Sequence, residues 1–153
     1  MCWMCDHPEA TVADWLDEID DTKTRCGWAV QYVEDDRRPY AYTVGLTDYG
    51  LPELLVSGVS PRRAARMLSR FAEQFVRRGA PTPGEQLTML GGSLVEIVEV
   101  EQPGVHMYVA AAFYGDRARA LQLVWADGRG HWPWVSSFSA GRRAQPVFGV
   151  RAA

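Results

Sequence analysis

The pattern of apolar residues first predicts a helix near the start of the chain. Its apolar positions recur three, four and seven residues apart, which is the spacing of one helical face: Val12, Trp15, Leu16 and Ile19. Thr11 is placed to cap the first turn, and Gly27 is placed to end the helix. We therefore predict a helix from about residue 12 to residue 25.

Three predicted strands and a second helix follow. The segments WAVQYVE, YAYTVGL and ELLVSG are rich in β-branched and aromatic residues and are separated by turns that contain proline. Ser60 and Pro61 then form a typical helix start, and Gly79 is placed to end that helix. The apolar face of this second helix is formed by Ala64, Leu68, Phe71, Ala72 and Phe75.

The second half of the chain predicts further strands. QLTML and SLVEIVEVE read as two strands joined at Gly91 and Gly92, and RALQLVW reads as another. In SLVEIVEVE the apolar alternation changes phase after Ile97, which predicts a bulge or burial on both faces. The alanines of VHMYVAAAFYG favour a short helix.

Strands interrupted by helices without regular alternation favour an α+β fold. We predict one domain over residues 1–135, in which two or three helices pack on a mostly antiparallel sheet of five or six strands. Residues 1–10 form its N-terminal Cys/His segment. The remaining residues, 136–153, are rich in Gly, Arg and Pro and predict a loosely held tail.

Composition narrows the classes of function. A chain of 153 residues with 47% hydrophobic residues fits one globular domain rather than a disordered chain. Its net charge of -3 disfavours a protein whose main role is to bind nucleic acid. The longest apolar runs are shorter than the ~20 residues of a membrane helix, and no signal peptide is expected. We therefore expect a cytoplasmic protein whose partner is a small molecule or another protein.

The cysteines suggest a metal site. All 3 lie within the first 26 residues, and Cys2 and Cys5 have the spacing of a zinc-binding pair. His7 and Cys26 can complete a structural zinc site, with His106 or His131 as alternative fourth ligands. The other interpretation is a reduced N-terminus packed against Trp3 and Trp15. A disulfide is disfavoured in a reducing compartment, and a thioredoxin-like pair is disfavoured because no strand precedes Cys2.

Several segments together resemble one family. CGWAVQYV, PYAYTVGL, GLPELLVSGV and LQLVWADGRGHWPW, with CWMCDHP and PGE, are similar in order and spacing to the bacterial family catalogued as domain of unknown function 4262. The resemblance covers roughly Cys2 to Trp134. It implies a small stand-alone cytoplasmic bacterial protein and no particular activity. Relatives often carry histidine where this chain has Cys26. If the position binds a metal, the difference preserves a ligand type, and if it does acid/base work, the difference puts that role in doubt.

The segment LQLVWADGRGHWPW is the first candidate site. Trp125, Asp127, His131, Trp132 and Trp134 lie within ten residues. The turn can place Asp127 near His131, where a carboxylate can orient a histidine as a general base, and the tryptophans can line an aromatic pocket. The alternative is a packed hairpin end in which Asp127 binds turn amides.

The strands YAYTVGL and ELLVSG offer a second candidate. Tyr42, Thr43 and Glu53 are polar residues on apolar strands, and they can converge at one end of the sheet. They would then form a polar spot in an apolar cleft, unless they reflect only strand propensity and a turn. The arginines of the second helix, Arg62, Arg66, Arg70 and Arg77, read as a solvated face or as a surface for an acidic partner.

These features favour a ligand-binding or accessory module. The pocket would be walled by Tyr42, Thr43, Glu53, Trp125, His131, Trp132 and Trp134, with structural zinc as the candidate cofactor. The alternative is an enzyme acting on a small molecule, with His131 as base and Asp127 or Glu53 as its partner. The third class is an interaction protein without a ligand.

Overall fold

The structure is a computed structural model that describes residues 3–35, 38–89, 92–139 and 144–153. The helices are α1 (Trp3–Asp6), α2 (Val12–Cys26), α3 (Pro61–Arg78), α4 (Pro103–His106) and α5 (Tyr108–Tyr114), with short 3₁₀ helices at Leu46–Tyr49 and Gly115–Arg117. The strands are β1 (Ala29–Val33), β2 (Tyr40–Val44), β3 (Glu53–Ser57), β4 (Gln86–Thr88), β5 (Leu94–Glu99) and β6 (Ala120–Trp125).

These strands form a six-stranded sheet in the order β1-β2-β3-β6-β5-β4. Only the β3–β6 pair is parallel within the described sheet, and every other neighbouring pair is antiparallel. The predicted α+β fold with a mostly antiparallel sheet is therefore confirmed. Of the predicted strand QLTML and the joint after it, Leu90 and Gly91 lie outside the described residues.

Helix α3 covers one face of the sheet. Ser60 accepts a hydrogen bond from the Arg63 amide and caps the helix, and Gly79 follows its last turn. The helix buries six residues against the sheet: Ala64, Met67, Leu68, Phe71, Ala72 and Phe75. Each large apolar side chain buried in this way contributes about 1.5–3 kcal/mol, so α3 is firmly anchored.

The opposite face is covered by three smaller pieces: α2, α5 and residues 144–149. Helix α2 buries only Ile19, and Trp15 and Leu16 pack beside it half-buried. Helix α5 buries Val109, Ala110 and Tyr114. Because no single long helix closes this face, a cleft remains between α2 and the sheet.

Residues 144–149 cover the rest of that face. The Pro146 carbonyl accepts hydrogen bonds from Ser57 Oγ (2.7 Å) and Gln122 Nε2 (2.8 Å), and Gln122 Oε1 accepts one from the Phe148 amide at 2.8 Å. A Cβ on Gly149 would overlap the Glu99 carbonyl, so this position requires glycine for close approach. These contacts join the segment to β3, β5 and β6.

The phase change in β5 follows from this covering. Val95 and Ile97 pack in the same buried cluster as the apolar residues of α3, while Val98 is also fully buried and lies next to Gly149. The antiparallel register runs without interruption from Val95 to Glu99 against β6. Of the two predicted causes, burial on both faces is the one that the structure shows.

Candidate functional site

A cleft of about 730 Å³ opens between α2, the β1–β2 hairpin and the α4–α5 segment. Its size is that of a typical small-molecule site. Ring side chains from all three elements form its walls: Trp15, Tyr40, Tyr42, His106 and Tyr108. The cleft is therefore an aromatic site built from three separate parts of the sequence.

The helix wall is positioned by local signals. Thr11 Oγ1 accepts a hydrogen bond from the Asp14 amide (3.2 Å), and the Asp14 carboxylate accepts one from the Thr11 amide (2.7 Å), which completes a capping box. Gly27, at φ 95°, ends the helix and lets the chain turn directly into β1. Trp15 and Ile19 then face the hairpin from one side of α2.

The strand wall comes from residues on one face of the hairpin. Tyr40 and Tyr42 are two residues apart on β2 and therefore point to the same side. The Tyr40 hydroxyl donates to the His106 carbonyl at 2.6 Å, and the Tyr42 hydroxyl accepts from the Val109 amide at 3.0 Å. These bonds tie α4 and α5 to the strand and fix the third wall.

Burial changes the protonation of the wall residues. It raises the pKa of Tyr42 to about 12, although the Val109 amide opposes the shift. Burial also raises the pKa of Tyr40, with a smaller contribution from Asp35, and it lowers the pKa of His106. Both tyrosines and His106 are therefore uncharged at neutral pH.

The charged residues that line the cleft are acidic. Glu18 of α2 and Glu34 after β1 lie in its lining, together with the polar side chains of Gln31 and Thr22. Within the described part of the chain, no lysine or arginine lines the cleft. Its electrostatic potential thus favours a neutral or positively charged guest over an anion.

Glu53 lies at the start of β3 and is fully buried. Its carboxylate accepts five hydrogen bonds, from the Thr43 and Thr47 hydroxyls and from the amides of Gly45, Leu46 and Thr47. Burial raises the pKa of Glu53, and the hydrogen bonds from Thr47, Thr43 and Leu46 oppose that rise. The carboxylate thus organises the turn after β2.

The predicted convergence at this sheet end is therefore partial. Thr43 Oγ1 donates to Glu53 at 2.8 Å and accepts from the Leu54 amide at 2.9 Å. Tyr42 points to the opposite face of the sheet, because neighbouring residues of a strand alternate. The structure joins Thr43 to Glu53 and places Tyr42 in the aromatic cleft.

Asp127 and His131 meet in the turn after β6. Asp127 Oδ2 lies 3.4 Å from His131 Nδ1. Burial raises the pKa of Asp127, but the amides of His131, Ser139 and Arg129 together outweigh it and hold that pKa well below its usual range. A fixed carboxylate beside Nδ1 can orient the imidazole for acid/base work, and that role stays a prediction.

The tryptophans of this region divide into two groups. Trp125 is buried in the α3 core, and its indole N–H donates to the Ser57 carbonyl at 2.9 Å. Trp132 and Trp134 are half-buried and stacked, with ring centroids 5.4 Å apart. The Arg151 guanidinium lies 3.9 Å from the Trp134 ring centroid and also binds Glu96.

Glu53 and His131 belong to opposite ends of the sheet. Glu53 is paired with Ala120 at the start of β6, and Trp125 ends that strand. Five steps along a strand span about 17 Å, and Asp127 and His131 lie beyond Trp125. The structure thus makes Asp127, and not Glu53, the carboxylate next to His131.

The zinc site stays a prediction. Cys2 lies outside the described residues, and Cys5, His7 and Cys26 are all exposed. Within residues 3–35, 38–89, 92–139 and 144–153, no group of three or more His, Cys, Asp or Glu side chains is arranged to hold a metal ion.

Of the ring residues that line the cleft, the sequence indicated only Tyr42 as part of a pocket. Tyr40 has the same spacing signal as Tyr42, so the alternation in YAYTV could have included it. Trp15 belongs to the apolar stripe of α2, where a core residue and a cleft residue give the same periodicity. His106 lies more than sixty residues from Tyr40, and nothing local predicts that contact.

No helix in the described part of the chain is both long and apolar enough to cross a membrane.

Comparison with known proteins identifies the family of the chain. No curated protein and no solved structure matches the chain. The family model described as domain of unknown function 4262 matches residues 24–139, a range that contains all six strands and α3. The resemblance seen in the sequence is confirmed, and the chain belongs to the family of the domain of unknown function 4262.

Proposed function

We propose that this domain is a ligand-binding module that holds a flat, neutral or positively charged organic molecule in the aromatic cleft. The observation that carries the proposal is the combination of an aromatic wall with an exclusively acidic charged lining among the described residues. Aromatic faces attract cations, and nearby carboxylates strengthen that preference.

The hydrogen bonds of the wall residues indicate that the binding site is already formed before a ligand enters. The Tyr40 and Tyr42 hydroxyls already have hydrogen-bond partners in α4 and α5. A guest therefore meets mainly ring faces and does not have to break these bonds. Tyr108 is 63% exposed at the rim, where it can cover a bound molecule without leaving a packed core.

Two probes with the same ring system and opposite charge test the proposal. N-methylacridinium is a flat cation, and acridine carboxylate is its anionic counterpart. We expect fluorescence titration to show that the cation binds more tightly. Tyr108→Ala and Glu18→Gln should each weaken its binding by about threefold to tenfold, the size of one cation–π or screened charge contact.

Matched variants outside the cleft are the controls. Tyr49→Ala removes another tyrosine that is 50% exposed, and Asp17→Asn removes another exposed carboxylate of α2. Neither residue lines the cleft, so both variants should bind the cation as the parent does. Tighter binding of the anion, or equal losses in cleft and control variants, would contradict the proposal.

A further inference from the structure

Helix α3 carries an unusual density of positive charge on its exposed side. It contains six arginines and a single carboxylate, Glu73, although the whole chain has a net charge of -3. The arginines are all exposed: Arg62, Arg63, Arg66, Arg70, Arg77 and Arg78.

Helix stability explains the arginines at the end of α3 but not those in its first half. Arg62 and Arg63 lie in the first turn, where the helix dipole disfavours cations. Arg62, Arg66 and Arg70 are spaced four apart, so that like charges face one another at a further cost. Arg77 and Arg78 suit the last turn, but none of the six forms an ion pair within the part of the chain that the structure describes.

Half of these arginines converge on a groove. A space of about 490 Å³ lies between the C-terminal half of α3 and the end of β4, and Arg70, Arg77 and Arg78 line it. Gln74 and Thr88 add neutral hydrogen-bonding groups, and Phe71 and Met89 add apolar surface. Glu73 also lines the groove, so its charged groups are three cations and one anion.

We propose that this groove binds a small multiply charged anion, an organic molecule that carries several phosphate or carboxylate groups. Guanidinium groups bind both kinds of oxyanion through paired hydrogen bonds, and three of them around one concave space can each take a separate anionic group. Gln74 and Thr88 can donate to the remaining oxygens. The groove lies on the α3 face of the sheet, so this inference is independent of the aromatic cleft.

The shape of the groove favours a small molecule over a polymer. Its volume lies within the range of small-molecule sites. A linear polyanion would instead follow the whole arginine stripe, which from Arg62 to Arg77 extends about 22 Å at the rise of an α-helix. The two cases differ in whether Arg62 and Arg66, which do not line the groove, contribute to binding.

A comparison of two double variants tests the proposal on the full chain. Arg70→Gln/Arg77→Gln removes two groove charges, and Arg62→Gln/Arg66→Gln removes two charges from exposed positions of the same helix. Titration calorimetry with tripolyphosphate and with citrate, at low and physiological salt, measures binding. We expect at least one probe to bind, with about tenfold or greater loss in the groove variant and less than about twofold loss in the control.

The two probes separate the sources of the ligand. Binding of tripolyphosphate alone identifies a phosphate-bearing ligand, and binding of citrate alone identifies a carboxylate-bearing one. The proposal is overturned if neither probe binds at millimolar concentration. It is also overturned if the two double variants lose affinity equally, because binding then follows the general charge of the helix, as for a nucleic acid.

Discussion

Helices α2 and α3 cover opposite faces of the same sheet, yet they differ in depth of packing and in charge. Helix α3 buries six residues and carries six arginines, whereas α2 buries one residue and carries five carboxylates, with only Lys23 and Arg25 as cations. The carboxylates of α2 begin in its first turn and the cations lie in its last, as the helix dipole favours. The exposed charges of α3 do not follow that rule at its start.

This difference shows that the fold requires a cap and an apolar stripe in each helix but does not determine the depth of packing or the exposed charge. Both helices are positioned by a cap and an apolar stripe, and those signals are equally clear in the two sequences. Shallow packing of α2 leaves the aromatic cleft beneath it, while deep packing of α3 moves its groove to the outer edge. The two candidate sites are thus opposite in charge: an acidic aromatic cleft lies on one face of the sheet and a basic groove on the other.

The difference in packing predicts the largest effect. Leu68→Ala, at a fully buried position of α3, should lower the free energy of unfolding by about 3–5 kcal/mol because it leaves a cavity. Leu16→Ala, at a half-buried position of α2, should cost about 1 kcal/mol. Urea denaturation followed by circular dichroism measures both. Equal losses would mean that α2 is packed as firmly as α3.

A smaller loss of stability is expected when Glu53, which connects the two faces of the sheet, is replaced. Its carboxylate holds the turn that sends Leu46 into the α3 core and Asp48 to Lys23 of α2, where Asp48 Oδ2 and Lys23 Nζ are 3.2 Å apart. Glu53→Gln replaces one acceptor oxygen by a donor, so buried amides or hydroxyls lose their partner. We expect Glu53→Gln to lower the free energy of unfolding by about 2–3 kcal/mol.

The Glu53→Gln variant should also report on coupling between the faces. If the turn joins them, thermal unfolding stays a single transition that moves to lower temperature, whether followed by tryptophan fluorescence or by circular dichroism. The isosteric Thr88→Val substitution at an exposed position of β4 serves as the control and should leave the transition nearly unchanged. Two separate transitions in Glu53→Gln would show that the faces are independent.

The smallest effect concerns Arg151, which follows residues 144–149, the third cover of the α2 face. The hydrogen bonds from Arg151 lower the pKa of Glu96, against the opposing effect of burial. A carboxyl group with a lowered folded-state pKa stabilises the protein above its unfolded pKa of about 4, and that stability is lost as the pH falls further. Arg151→Gln should reduce stability by up to about 1 kcal/mol at pH 7, because Arg151 is half exposed.

The pH profile distinguishes this ion pair from simple packing. Between pH 7 and pH 3, the parent should lose more stability than Arg151→Gln, so that the two curves converge on acidification. Arg129→Gln, a change at an exposed arginine in the turn after β6, is the control and should keep the parent profile. Parallel curves for the parent and Arg151→Gln would show that Arg151 acts through its stacking on Trp134 alone.

Much of the fold could be predicted because its signals are local. The Thr11 and Gly27 signals predicted the ends of α2 to within a residue or two, and Ser60 and Gly79 did the same for α3. The strands followed from β-branched and aromatic runs. The phase change in β5 was also visible, but the choice between a bulge and two-sided burial depended on a segment about fifty residues later.

The candidate sites were less predictable because distant residues form them. The strand pattern indicates Tyr42, but His106 and Trp15, which line the cleft with it, come from other elements. The Gly, Arg and Pro composition after residue 135 predicts a loosely held segment. The hydrogen bonds of residues 144–149 depend on individual partner residues in the sheet, which composition does not specify. Gln145, for example, bonds through its side chain to both the amide and the carbonyl of Trp125, at 2.8 Å each, which composition does not reveal.

The hydrogen bond from Ser57 to the Pro146 carbonyl has a consequence for synthesis in the cell. These residues are 89 positions apart, and the bond lies where residues 144–149 cover β3 and β6. During translation, the β3 part of that patch waits for its cover while about ninety further residues are added, several seconds at ordinary elongation rates, whereas Gln122 of β6 precedes Pro146 by only 24 residues. Nascent chains arrested before residue 144 should therefore expose this surface, and they should aggregate or bind general chaperones more readily than the full chain.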